Sequence, residues 1–181
     1  MTDLTAQHLK EVVHYDPQTG SFHWLDRPRS QFSTSQGYGA WRAKCLGREA
    51  GTPTGQGYRR VSIDNRVYLA HRLAWLYVHG KWPSQNIDHI NGDGADNRIA
   101  NLRDVSNTEN HKNLRLTKTN KSGVSGVRRT KYGTWTAAIW DRARVIRLGS
   151  FETMAEAVAA RKTAERDFGY HPNHGKPRTA S

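Results

Sequence analysis

The chain is predicted to be an α+β protein assembled from small hairpins, each followed by a helix. Three observations predict it. Tyr58, Val61 and Ile63 alternate with polar residues, and Leu69, Leu73, Leu76 and Tyr77 then fall at helical spacing. Residues 87–110 run through strand, turn, strand and helix. After residue 120, three short strand-like runs precede a helix over 154–168. Only 35% of the 181 residues are apolar, which favours small separate units over one large core.

Residues 1–56 form an accessory segment. Thr5 is a candidate N-cap for a helix running to Tyr15, with Leu9, Val12 and Val13 on one face. Residues 16–20 (DPQTG) are a turn, and 21–25 a short strand. Residues 27–40, rich in Ser, Gln and Gly, read as loop. Trp24, Phe32 and Trp41 are expected to cover a small core, with base stacking as the alternative. From Gly57 a strand turns at Asp64-Asn65, returns over 67–69 and leads into a helix that stops at Gly80, ahead of Pro83. Residues 57–116 make the second domain, 117–122 a basic polar linker, 123–169 a third domain, and 170–181 a disordered tail. In the third domain, strand-like runs at 126–130, 134–140 and 144–148 are broken at 131–133 and 141–143. Ala155, Val158, Ala159 and Ala164 would let its helix lie close on a sheet.

Charge narrows the class of partner. The net charge is +12, and it is unevenly placed: residues 112–181 hold 15 Lys/Arg against 5 Asp/Glu, whereas the first 111 hold 13 against 11. A basic C-terminal part on a near-neutral front points to an anionic polymer gripped from the back. No run approaches the roughly 20 apolar residues of a membrane span. The N-terminus lacks the basic start and apolar stretch of a signal peptide. Cys45 stands alone, which excludes an internal disulfide and a multi-cysteine zinc site. The expectation is a soluble, cytoplasmic protein with no membrane partner.

The chemistry concentrates in IDHINGDGADNRIANLRDVSNTENHKN, residues 87–113. Ile87 and Ile90 flank Asp88-His89 as on a short strand; 91–97 is a long turn, and Leu102 and Val105 fit a returning strand. Ser106 and Glu109 match a capping box, which puts Asn110 in the first turn of a helix. Asp88 and Asn110 offer oxygens to a hard cation such as Mg2+, with Mn2+ as an alternative, and His89 can take a proton from water. His111 and Asn113 are rival helix ligands. An EF-hand-type calcium loop is excluded, because no register sets acidic or amide residues at loop positions 1, 3 and 5 with Gly at 6.

These residues resemble the HNH endonucleases of the ββα-metal (His-Me finger) class, in the form found in phage and intron-encoded homing enzymes. The matching residues are His71-Arg72-Leu73-Ala74, Asp88-His89, Asn101-Leu102-Arg103 and Asn110. The resemblance implies a general base at His89, metal ligands at Asp88 and Asn110, and a structural Asn101 that holds the loop. Asn110 stands where a His is often found. The products implied are a 5′ phosphate and a 3′ hydroxyl.

A second resemblance covers about residues 120–169. Residues 121–128 (KSGVSGVR), Trp135-Thr136-Ala137, Leu148-Gly149-Ser150-Phe151 and Glu156-Ala157 are similar to the AP2 domain, a three-stranded sheet backed by one helix that reads double-stranded DNA. By position, Arg128 matches a base-contacting Arg and Trp135 a strand Trp. Arg147 takes a place often held by Trp, Trp140 one often held by Arg, and Thr130 one where plant members usually have Arg. Base preferences therefore do not transfer. Arg129, Arg142 and Arg144 are assigned to phosphates. Trp135 as a core residue stays an open alternative.

The combined expectation is a metal-dependent homing-type DNA endonuclease. It would act as a monomer with no obligate protein partner, nick rather than cut both strands, and work in a bacterial host if phage-encoded. The alternative is a non-enzymatic DNA-binding regulator carrying an inactive nuclease module.

Overall fold

The computed structural model describes residues 4–117, 119–142 and 144–176. Residues 1–3 of the accessory segment, Lys118 of the expected linker, Ala143 of the expected turn and 177–181 of the expected tail lie outside the described residues. The fold is α+β, with several small sheets. It divides into two compact units, 1–104 and 105–181.

The first unit opens with α1 (Ala6–Val12), capped by the Thr5 hydroxyl, which accepts from the His8 amide. The helix was expected to reach Tyr15 but ends at Val12. Residues 13–15 become β1 (Val13–Tyr15), paired antiparallel with β2 (Phe22–Trp24), Tyr15 opposite Phe22. A β-branched residue and an aromatic side chain gain more from a cross-strand partner than from another helical turn. Residues 35–45 form α2 (Ser35–Cys45), most of it within the segment read as loop. Thr34 caps it through the Gly37 amide. No residue of α2 is buried; instead Trp41 meets Phe32 at 5.5 Å and Trp24 at 6.3 Å, with the Arg27 guanidinium over Phe32 and Trp41. A helix held by rings and a cation carries no apolar stripe for the sequence to show.

Three further strands, β3 (Thr52–Pro53), β4 (Arg59–Ile63) and β5 (Arg66–Leu69), form an antiparallel sheet in that order. Asp64 and Asn65 both take positive φ, 49° and 62°, the two-residue turn whose twist suits a hairpin. α3 (Ala70–His79) follows and stops at Gly80, φ 72°. The core of the unit joins Leu9, Val12, Tyr15 and Phe22 with Val61, Ile63, Leu73 and Leu76. The N-terminal segment thus packs into this core. β6 (Asn86–His89) and β7 (Leu102–Val105) form a two-stranded sheet.

The second unit begins with α4 (Asn107–His111), whose capping box pairs Ser106 with Glu109. The division differs from the expected boundary at 117–122, because residues 112–116 are tied to the C-terminal segment. His171 N–H donates to the Lys112 carbonyl at 3.0 Å, Gly175 N–H to Leu114 at 2.9 Å, and Leu116 N–H to Lys176 at 3.0 Å. The same bonds order residues 171–176, which were expected as disordered tail. The strands β8 (Val127–Arg129), β9 (Trp135–Asp141) and β10 (Arg144–Phe151) form an antiparallel sheet with β9 central, and α5 (Met154–Asp167) packs on one face. Val127, Ala137 and Ala157 are the buried centre, with Trp135, Leu148 and Phe151 against them. Gly126 sits where β8 crosses close to β9: its φ is +76°, and a Cβ there would lie 2.2 Å from the Ala138 carbonyl oxygen.

Candidate active site

Asp88 and His89 end β6, only 7% and 5% exposed. The Ile90 amide donates to the Asn101 carbonyl at 2.9 Å, and this register sets Arg103 opposite Asp88. Arg103 Nε and Nη2 both donate to Asp88 Oδ2, at 2.9 and 2.7 Å. The loop between the strands is closed by Asn101. Its Oδ1 accepts from the Asn91 amide at 2.9 Å, and its Nδ2 donates to the Asp96 carbonyl at 2.8 Å. One side chain therefore ties the start of the loop to its end. Asp96 adds a bond from Asn91 Nδ2 at 2.7 Å and an ion pair with Arg98 at 2.6 Å, which together hold its carboxyl below the usual range, Arg98 contributing most. Asp104 anchors the approach to β6 by accepting from the Ser84 and Gln85 amides at 2.6 and 3.0 Å.

His89 lies in a cage of rings. His71 meets it edge-on at 5.0 Å, and Tyr58 lies 5.9 Å from His89 and 5.4 Å from His71. Gly94 lets the Tyr58 ring in, since a Cβ at 94 would stand 2.8 Å from that ring. Asn97 Oδ1 faces His89 Nε2 at 3.4 Å. Burial pushes the His89 pKa down from 6.5, partly offset by Asn97 and by the charges of Asp88, Asp93 and Asp96. Burial, with the neighbouring His89 and Arg72, lowers His71 to about 3. Both imidazoles are therefore neutral at pH 7. A neutral, caged imidazole beside a buried carboxylate can accept a proton from water held near it.

Three of the four catalytic candidates, Asp88, His89 and Asn101, are together in the first unit. Asn110 lies on α4 of the second. Sequence reading passed over Asn97, which was taken for a turn residue, and over the pairing of Arg103 with Asp88. The strand register could have revealed the second; nothing in the periodicity marks the first.

The second unit sorts the DNA-binding candidates by face. Directly opposed residues of an antiparallel pair share a face. Arg128 opposes Thr136, Thr136 opposes Ser150, and Ala138 opposes Arg147; all lie on the side away from α5. Arg128 and Arg147 are both exposed. Arg129 opposes Trp135 and Arg144 opposes Asp141, so these two arginines project to the α5 side. Trp135 lies on the α5 side, partly buried against the Val127, Ala137 and Ala157 cluster, the place its core alternative expects. Arg142 stands in the β9–β10 turn at φ 43° with its side chain 87% exposed.

Among the described residues no helix is long and apolar enough to cross a membrane, and no group of three or more His, Cys, Asp or Glu is arranged to hold a metal ion. No curated protein and no solved structure matches the chain. Residues 68–112 match the profile of a family described as HNH endonuclease, a stretch that takes in α3, the β6–β7 pair, the caged His89 and α4, and it supports an HNH nuclease unit in this chain.

Proposed function

We propose that the protein is a metal-dependent DNA endonuclease of the homing type, with His89 as general base. The observation that carries this reading is the buried His89 ring at the end of β6, beside Asp88 and within a loop tied at both ends by Asn101. His89 would draw the proton from an attacking water, and Asn101 would keep the loop from turning the ring away. A bound divalent cation, Mg2+ or Mn2+, would stabilise negative charge on the scissile phosphate and the departing 3′ oxygen. Asp88 suits such an ion: hard cations of this size take one or two carboxylates and fill their remaining positions with water and substrate phosphate. Asn110 is retained as a second oxygen ligand on its sequence spacing. The products would carry a 5′ phosphate and a 3′ hydroxyl.

The test is incubation of supercoiled DNA with the protein and Mg2+ against an EDTA control, followed by mapping of the ends. Nicked circles at a preferred site, absent with EDTA, are expected. Binding without cleavage in Mg2+, and again with Mn2+ in its place, would favour the regulator reading instead.

The C-terminal sheet is proposed as an AP2-like reader of double-stranded DNA, through Arg128 and Arg147 on the face away from α5, with Arg142 as a phosphate contact from the turn. Arg129 and Arg144 remain proposed phosphate contacts from the edges of the sheet. Each phosphate contact contributes about 0.9 to the slope of log affinity against log salt. The Arg128→Ala/Arg147→Ala protein is expected to bind more weakly at 0.1 M salt, with a slope shallower by up to about 2. Relaxed base preference without a slope change would mean that the two side chains reach base edges and not phosphates. Unchanged affinity and selectivity would remove this face from the interface.

A further inference from the structure

The N-terminal hairpin has no task in the nuclease reading, yet it reaches the loop that holds His89. Tyr15, 1% exposed, donates its hydroxyl to the Asn97 carbonyl at 2.7 Å. Burial raises its pKa, so the hydroxyl stays a donor throughout the working pH range. Gly20, in the turn between β1 and β2, lies against the same Asn97–Arg98 peptide. A Cβ there would fall 2.4 Å from Arg98 N and 2.5 Å from the Asn97 carbonyl carbon, so the approach admits no side chain. Asn97 is itself 1% exposed. Its Nδ2 donates to the Ala95 carbonyl at 3.0 Å. A carbonyl only accepts, so the amide orientation is fixed and Oδ1 is the atom facing His89 Nε2. An oxygen there requires the proton on Nε2, which in a neutral ring leaves the lone pair on Nδ1.

We propose that Tyr15 and Gly20 are positioning residues: the N-terminal hairpin clamps Asn97, and Asn97 sets the tautomer and orientation of the His89 ring. The proposal rests on His89 being the general base. It gives residues 13–24 a part in catalysis although they touch neither DNA nor His89 in this account.

Tyr15→Phe in the full-length protein is the deciding variant. It removes one oxygen and keeps the ring contacts with Phe22 and Tyr77. Cleavage under saturating DNA is expected to slow by about tenfold, the lower end of what losing an orienting partner costs. DNA affinity should be unchanged, and the ring 15N shifts of His89 at fixed pH should move toward a tautomer mixture. Asn97→Ala should move both readouts further. Asn97→Asp, which keeps an oxygen toward Nε2, should lie closer to wild type. An unchanged His89 ring spectrum in folded Tyr15→Phe and Asn97→Ala overturns the proposal, as does a changed spectrum with an unchanged cleavage rate. If the wild-type protein cleaves no DNA, the nuclease reading fails separately, and the catalytic part of the proposal falls with it. The ring spectrum would still report whether the hairpin holds His89.

Discussion

His89→Ala protein should bind its DNA target as tightly as wild type and cleave it about 10²- to 10⁴-fold more slowly. The range is what a positioned proton acceptor contributes when the rest of the site is intact. Several features argue that the rest does remain. Asn101 closes the loop through the Asn91 amide and the Asp96 carbonyl, neither of which involves the imidazole. Asp88 keeps its two bonds from Arg103. The DNA-reading arginines proposed above belong to a separate unit with its own core. Single-turnover cleavage and gel-shift titration on the same substrate, with a thermal melt as a folding control, measure the three quantities. Wild-type cleavage by the purified variant would end the assignment of His89 as base.

Arg161→Leu should have the largest effect on stability, loosening the second unit by about 3–5 kcal/mol. Arg161 is 3% exposed on α5, and all of its bonds are internal. It donates to Glu165 at 3.0 Å, to the Ala138 carbonyl of β9 at 2.6 Å and to His174 Nε2 at 3.0 Å. Leucine would take the donor from the β9 carbonyl and the imidazole and leave the partly buried Glu165 carboxylate with Lys162 as its one remaining cation. A domain is stable by only about 5–15 kcal/mol, so this loss approaches the whole of a small unit's margin. Urea titration of the variant should show the C-terminal unit unfolding at lower denaturant, with DNA binding lost at the same point. A shift under about 1 kcal/mol would mean that the network is dispensable.

Acid should act on the same network. Burial, with Arg161 beside it, lowers the His174 pKa from 6.5 to about 4. The unfolded chain then binds a proton more readily than the folded one, so this contribution is complete above pH 6.5 and is lost as pH falls toward 4. The buried His71 acts in the same sense in the first unit.

Legibility in the sequence followed the size of the periodic signal. The Val61/Ile63 alternation, the Asp64-Asn65 turn and the Leu73/Leu76 spacing mark β4, β5 and α3 within a residue or so, because β4 and α3 each bury a face in a shared core against which Tyr68 of β5 packs. Both capping boxes, Ser106 with Glu109 and Thr153 with Glu156, mark helix starts. α2 was hidden because its support is aromatic and cationic rather than an apolar stripe. Val13 and Tyr15 carry a helical pattern, but strand partners eleven and seven residues away, Trp24 and Phe22, claim them. Within the site, Asp88, His89 and Asn101 could be named from type and spacing, but Asn97 owes its place to Tyr15 and Gly20. No local pattern reports a contact across 82 positions.

That separation also bears on the timing of synthesis. Tyr15 leaves the ribosome long before Asn97 exists, and at roughly 5–20 residues per second the hairpin waits several seconds for the carbonyl it will hold. Until then His89 stands without Asn97, the side chain proposed to orient its ring, and without Asn101, which closes its loop. On the proposed reading, a chain cut short before residue 97 has His89 but not the side chain that orients its ring.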